Sequence, residues 1–155
     1  MITIYTDGSS RGNPGPGGYG VILISGNHRK ELSRGYRLTT NNRMELMSVI
    51  AGLEALKKLP SDVVVFSDSK YVVDAIEKKW LHGWVQKGFK GKKNADLWKR
   101  FLQISSRHHV KFRWIKGHNQ HPLNERCDEL AVQAALGNHL HHDEGYEAEL
   151  RGGIF

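Results

Sequence analysis

The sequence predicts a single-domain α/β fold. Three strand-like runs follow one another near the N-terminus with only turns between them. Beyond residue 40, helical periodicity alternates with two further strand-like runs, as in α/β chains. The 155 residues suffice for one domain with its own core.

The first strand is Ile2-Thr3-Ile4-Tyr5-Thr6, where β-branched and aromatic residues alternate and Asp7 stands at the C-terminal end. Turn formation is the simpler explanation for that acid taken alone. A glycine- and proline-rich stretch, Gly8 to Gly18, reads as a hairpin turn. It lacks the Gly-Lys-Ser/Thr of a nucleotide phosphate loop and does not open a helix, so neither nucleotide fingerprint applies. Tyr19 to Ser25 is nearly all apolar and reads as a central strand, and the more polar Lys30 to Leu38 suits a sheet edge.

Thr39-Thr40-Asn41-Asn42 caps a helix with Leu46, Ile50 and Leu53 on its apolar face. Glu45 is expected in its first turn, where dipole compensation is the plain structural role. Gly52, on the same face, points to close packing. Val63 to Ser67 is a short continuous apolar run, expected to be buried on both faces, and Asp68 ends it as Asp7 ended the first strand. Parallel pairing of these two strands puts both acids at one sheet edge, where open α/β sheets bind their ligands.

Ser69 to Lys79 reads as a helix. Lys78 to Lys93 then mixes lysines with Trp80, Trp84 and Phe89 and contains no carboxylate. A rigid basic arm of this kind suits a nucleic-acid backbone, although a solvated charged face is the commoner meaning of a lysine run. Asp96 to Arg107 is a further helix capped by Asn94, Val110 to Ile115 a fifth strand, and Asn124 begins a helix in which Asp128 is an early residue. His118 and His121 in the intervening loop have only Cys127 near them, which argues against a structural zinc site. From Gly137 the pattern weakens, and Arg151 to Phe155 reads as a loose tail.

A formal net charge of +7 favours polyanionic partners. A single cysteine excludes an intrachain disulfide and fits a reducing compartment, with the cytoplasm as the expected location. No apolar run approaches membrane-spanning length, and the start of the chain has no signal-like segment. Asp7, Glu45, Asp68 and Asp128 gathered at one edge would repel one another and recruit hard cations such as Mg²⁺ or Mn²⁺. Two such ions beside a basic arm are the equipment of a nuclease.

These motifs, TDGS at 6–9, RGNPGPGGYG at 11–20, TTNNRMEL at 39–46, SDS at 67–69, DLW at 96–98, KGH at 116–118 and NERCDELA at 124–131, occur in that order. Together they resemble bacterial type 1 ribonuclease H, over about Met1 to Tyr146. The resemblance implies a ribonuclease H-like fold: a five-stranded mixed sheet, three antiparallel strands and two parallel, flanked by helices. It divides the chain into a catalytic domain at 1–146, with a basic protrusion at about 78–94, and a C-terminal tail at 147–155.

The resemblance also implies hydrolysis of the RNA strand of RNA–DNA hybrids, leaving 5′-phosphate and 3′-hydroxyl ends, by a monomer using two Mg²⁺ ions, with Mn²⁺ as a substitute. Asp7, Glu45, Asp68 and Asp128 would be the metal-binding catalytic carboxylates, and His118 would assist proton movement or product release. Asn13, Asn41 and Asn42 would read the minor groove and 2′-hydroxyls, and Thr40 and Asn94 would hold a phosphate of the DNA strand. Trp80, Trp84 and Lys87 belong to the substrate handle. Lys70 stands where the family commonly has glutamine, so that contact is expected to become purely electrostatic. Val85 and Gln86 stand where basic residues are usual, so weaker hybrid binding is expected than a fully basic protrusion would give. The competing readings are a hybrid-binding module without catalysis and a DNA-cutting nuclease of the transposase or integrase kind.

Overall fold

The computed structural model describes residues 1–117 and 121–152. The elements in chain order are β1 (Ile2–Ser10), β2 (Gly15–Ser25), β3 (His28–Thr39), α1 (Asn41–Glu54), β4 (Asp62–Ser67), α2 (Lys70–Glu77), α3 (Trp80–Gln86), α4 (Ala95–Ser105), β5 (His109–Trp114), α5 (Pro122–Leu136), β6 (Leu140–His141) and α6 (Glu144–Gly152).

The sheet has six strands in the order β5-β4-β1-β2-β3-β6. The antiparallel meander β1-β2-β3 and the parallel pair β4 and β5 are as expected. The sixth strand is additional. Two residues, Leu140 and His141, pair parallel to Gly35 and Tyr36. A run so short has no periodicity to betray it, and its pairing depends on where α5 delivers the chain.

Helices α1, α2 and α4 cover one face of the sheet, with Ile4, Val21, Leu46, Ile50, Val65, Trp98 and Phe112 in the shared core. Helix α5 covers part of the other face, where Ile22, Cys127 and Leu130 form a smaller cluster. Gly52 does serve close packing: a Cβ there would stand 2.9 Å from Ile4 Cγ2.

Several local expectations are corrected. The hairpin turn is shorter than its glycines imply, because β1 runs to Ser10 and β2 starts at Gly15. Asn94 precedes α4 in a left-handed conformation (φ 66°) and makes no side-chain cap. The run at 63–67 is buried on one face only: Val63 and Val65 are buried, Val64 and Phe66 half-buried. The segment expected to be a loose tail enters α6, where Glu147 accepts from Arg37 Nε at 3.2 Å and Arg151 and Gly152 are helical. The last residues, 153–155, lie outside the described residues.

The parallel pairing of β1 and β4 is what creates the site. Their register sets Thr6 opposite Ser67, so Asp7 and Asp68 are the next residues on neighbouring strands. Helix α1 packs against β1 and supplies the third acid.

Candidate active site

Ligand oxygens of Asp7, Glu45 and Asp68 all lie within 4.8 Å of one another. Asp7 is buried within the central strand β1, which continues past it to Ser10, so it does not end the strand as expected. Glu45 does not lie in the first turn of α1, which contains no acid. It comes one turn later, so dipole compensation does not account for it. The Gly8 backbone N–H donates to Glu45 Oε1 at 2.6 Å and also to Asp7 Oδ1 at 2.9 Å. A glycine is required there, since a Cβ would fall among the Met44 and Glu45 backbone atoms, 2.5 Å from Glu45 N.

Asp68 Oδ1 is buried without a hydrogen-bond partner among the described residues. A buried unpartnered carboxylate oxygen is costly unless something else fills its coordination. The Asp68 carbonyl accepts from the Trp114 indole N–H at 3.2 Å, a support that the sequence did not reveal.

Burial, followed by repulsion from Asp68 and Asp128, pushes the Asp7 carboxyl up to about 8, against the opposing hydrogen bonds from Glu45 and Gly8. Burial and the charges of Asp7 and Asp68 likewise hold Glu45 well above its ordinary 4.5. Two acids that resist ionising, a third within ligand reach of them and one unsatisfied oxygen fit a hard divalent cation, which would take oxygen ligands.

Asp128 is not among the three acids within mutual ligand reach. Helix α5 begins at Pro122, so Asp128 is its seventh residue rather than its opening one. It is close enough to contribute to the Asp7 shift. His118 lies outside the described residues.

The other predicted contacts surround the start of α1. Thr40 is its N-cap and accepts from Arg43 N at 3.2 Å. Asn41 Oδ1 accepts from Ser10 N at 2.7 Å, and Asn13 Oδ1 accepts from Asn41 N at 3.1 Å. Asn13, Asn41 and Asn42 are all exposed. Asn94 Nδ2 donates to the Tyr71 hydroxyl at 3.0 Å, and its Oδ1 accepts from Arg43 Nη1 at 3.4 Å. Arg43 thus links Thr40 to Asn94.

Arg43 is itself buried and bonded to Asp96 and Asp143, while Asp143 Oδ2 also accepts from Thr39 at 2.7 Å. Sequence reasoning missed this network because Asp143 comes from a segment without a pattern. On the arm, Lys78 lies over Trp80 (5.3 Å) and Lys92 over Trp84 (5.0 Å). Trp84 meets Trp98 edge-on, and Lys87 follows α3 as its C-cap. Lys70 sits over the Trp114 ring at 4.6 Å.

Fold and acidic cluster together define a nuclease. The family model described as RNase H matches residues 1–136. The ribonuclease H of Lachnoclostridium phytofermentans is 55% identical, covering 94% of this chain and 99% of its own. That of Idiomarina loihiensis is 51% identical, covering 96% of each. Among solved structures, LC9-RNase H1, a type 1 RNase H with the type 2 active-site motif, is similar at 37% identity and TM-score 0.78, over 89% of this chain and 73% of that one. LC11-RNase H1, solved with an RNA/DNA hybrid, matches at 29% identity and TM-score 0.62, over 87% of this chain and 96% of that one. The chain belongs to the ribonuclease H family and is an enzyme of its bacterial type 1 branch. No described helix is long and apolar enough to cross a membrane.

Proposed function

We propose that this enzyme hydrolyses the RNA strand of RNA–DNA hybrids by in-line attack of water, leaving 5′-phosphate and 3′-hydroxyl ends. Two Mg²⁺ ions, for which Mn²⁺ can substitute, would be held by Asp7, Glu45, Asp68 and Asp128. The observation that carries the reading is the trio Asp7, Glu45 and Asp68, with ligand oxygens within 4.8 Å of one another, and the orphaned buried Oδ1 of Asp68. Bound Mg²⁺ supplies charge neutralisation at the scissile phosphate and a more acidic water.

The chain's own groups do the positioning. Gly8 N–H orients Asp7 and Glu45 toward a common centre. Trp114 steadies the Asp68 backbone. Thr40 and Asn94, tied through Arg43, hold a phosphate of the DNA strand. Asn13, Asn41 and Asn42 hydrogen-bond the minor groove and the 2′-hydroxyls that mark RNA. Lys70, Trp80, Trp84 and Lys87 engage the backbone electrostatically and by packing. His118 assists proton transfer or product release.

The reading treats 1–146 as the catalytic domain, 78–94 as its handle and 147–155 as the C-terminal segment. It has the enzyme acting as a monomer in the cytoplasm, in keeping with its one cysteine.

The test is cleavage of an end-labelled hybrid with and without Mg²⁺, beside duplex DNA and a hybrid carrying 2′-deoxy residues in its RNA strand. Cutting only of the intact hybrid, and only with Mg²⁺, is the expected result. Cutting of duplex DNA, or Mg²⁺-independent cutting, would overturn the proposal.

A further inference from the structure

Helix α5 covers only part of its side of the sheet. It packs on β1, β2 and β3, and among the described residues no helix packs extensively on the same face of β4 and β5. There Val64 and Phe66 are half-buried while Val63 and Val65 are buried. Lys111 and Arg113 are exposed, whereas Phe112 between them is buried. Side-chain alternation accounts for both patterns and puts Val64, Phe66, Lys111 and Arg113 on the open face.

The register sets these residues in rows. Tyr5 is opposite Phe66, which is opposite Arg113, and Thr3 is opposite Val64, which is opposite Lys111. The Tyr5 and Phe66 rings stack at 4.9 Å with 10° between their planes. The His121 ring lies 5.1 Å from Tyr5, tilted by 38°. Both Phe66 and His121 therefore neighbour Tyr5, with Arg113 on the strand beyond Phe66. Asp7 and Asp68 are two residues further along the same strands, about 7 Å away.

Packing accounts for Tyr5, which borders the cluster under α5. It does not account for two cations on the neighbouring strand, since neither Lys111 nor Arg113 forms an ion pair among the described residues. A flat ring on an open face with cations one strand away matches an unstacked base and its phosphates. A duplex keeps its bases stacked inside and cannot use the rings.

We propose that the row Tyr5, Phe66 and Arg113, with His121 against Tyr5 and Lys111 beside Arg113, is a stacking platform for single-stranded nucleic acid continuing from a hybrid held at the carboxylates. A base stacks against Phe66, and its flanking phosphates meet Arg113 and Lys111. The placement of the strand rests on the hybrid reading above, but the platform's own affinity does not.

The experiment measures binding in EDTA to a blunt hybrid, to the same hybrid with a short oligouridine extension, and to free oligouridine. The proteins are the wild type, Phe66→Ala, and a Lys111→Ala/Arg113→Ala double variant. The wild type is expected to bind the extended hybrid about tenfold more tightly than the blunt one. Both variants should lose that advantage while keeping blunt-hybrid binding and cleavage. A 2-aminopurine in the extension should be quenched by the wild type and not by Phe66→Ala. Equal wild-type affinity for blunt and extended hybrids overturns the proposal, as does a Phe66→Ala protein that weakens equally on both. If the hybrid reading were wrong, neither hybrid would show duplex-dependent binding, yet Phe66-dependent binding of free oligouridine would persist.

Discussion

Glu45 Oε1 accepts a 2.6 Å hydrogen bond from the backbone N–H of Gly8, which also donates to Asp7. One amide thereby aims two acids from different elements at the same point. The arrangement works only because residue 8 has no side chain. Gly8→Ala would drive a methyl into the α1 backbone, 2.5 Å from Glu45 N. We expect it to destabilise the fold by about 2–4 kcal/mol and to reduce cleavage at least a hundredfold. Urea denaturation and steady-state kinetics check the two effects separately.

The metal-free cluster should oppose folding at neutral pH. The Asp7 carboxyl titrates near 8 in the folded protein, above its ordinary 3.8. Stability from its protonated form is therefore full below about pH 4 and is lost as pH rises through about 8. Asp7→Asn cannot ionise. In EDTA at pH 8 it should be more stable than the wild type by about 2 kcal/mol, with no advantage at pH 4, and it should be inactive. Mg²⁺ should raise the wild-type Tm and leave that of the variant nearly unchanged. Thermal unfolding at the two pH values decides this.

The connection between β6 and α6 is tied to the start of α1 through Asp143 and Arg43, only 2% and 1% exposed. Removing Asp143 leaves the buried Arg43 with Asp96 as its remaining carboxylate partner, and breaking a buried pair typically costs about 3–5 kcal/mol. Asp143→Ala should therefore destabilise the protein by about 3 kcal/mol, with Asp143→Asn recovering part of that. Guanidinium denaturation of both variants is the measurement.

Lys70, over the Trp114 ring, is a cation where the family commonly places an amide. If it meets a phosphate, Lys70→Gln should lower the slope of log binding constant against log salt by about one. Hybrid binding in EDTA across a salt series tests this, and an unchanged slope would remove Lys70 from the backbone contacts.

Gly52→Ala sets two effects against each other. Helix propensity favours alanine by about 1 kcal/mol, but the added methyl meets Ile4 Cγ2 at 2.9 Å and Val21 Cγ1 at 3.2 Å. Overpacking of this kind costs about 1–3 kcal/mol. A net loss of stability is expected from the urea midpoint.

Local pattern carried much of this protein. Alternation in Ile2 to Thr6, the helical spacing of Leu46, Ile50 and Leu53, and the acid that follows the fourth strand were all readable from the chain, because strand and helix periods are properties of neighbouring residues. The motif from Thr39 to Leu46 and its partners were sufficient to point to the family. What no local pattern could reveal was decided by contacts between distant segments. The Gly8 bond to Glu45, the Trp114 bond to Asp68, the burial of Arg43 by Asp143 and the sixth strand all join residues far apart in sequence. The run at 63–67 shows the difference most directly. Its composition implied burial on both faces, yet Val64 and Phe66 are only half-covered. A residue's type sets how much it gains by leaving water, but whether a helix arrives to cover it is settled by the path of the rest of the chain.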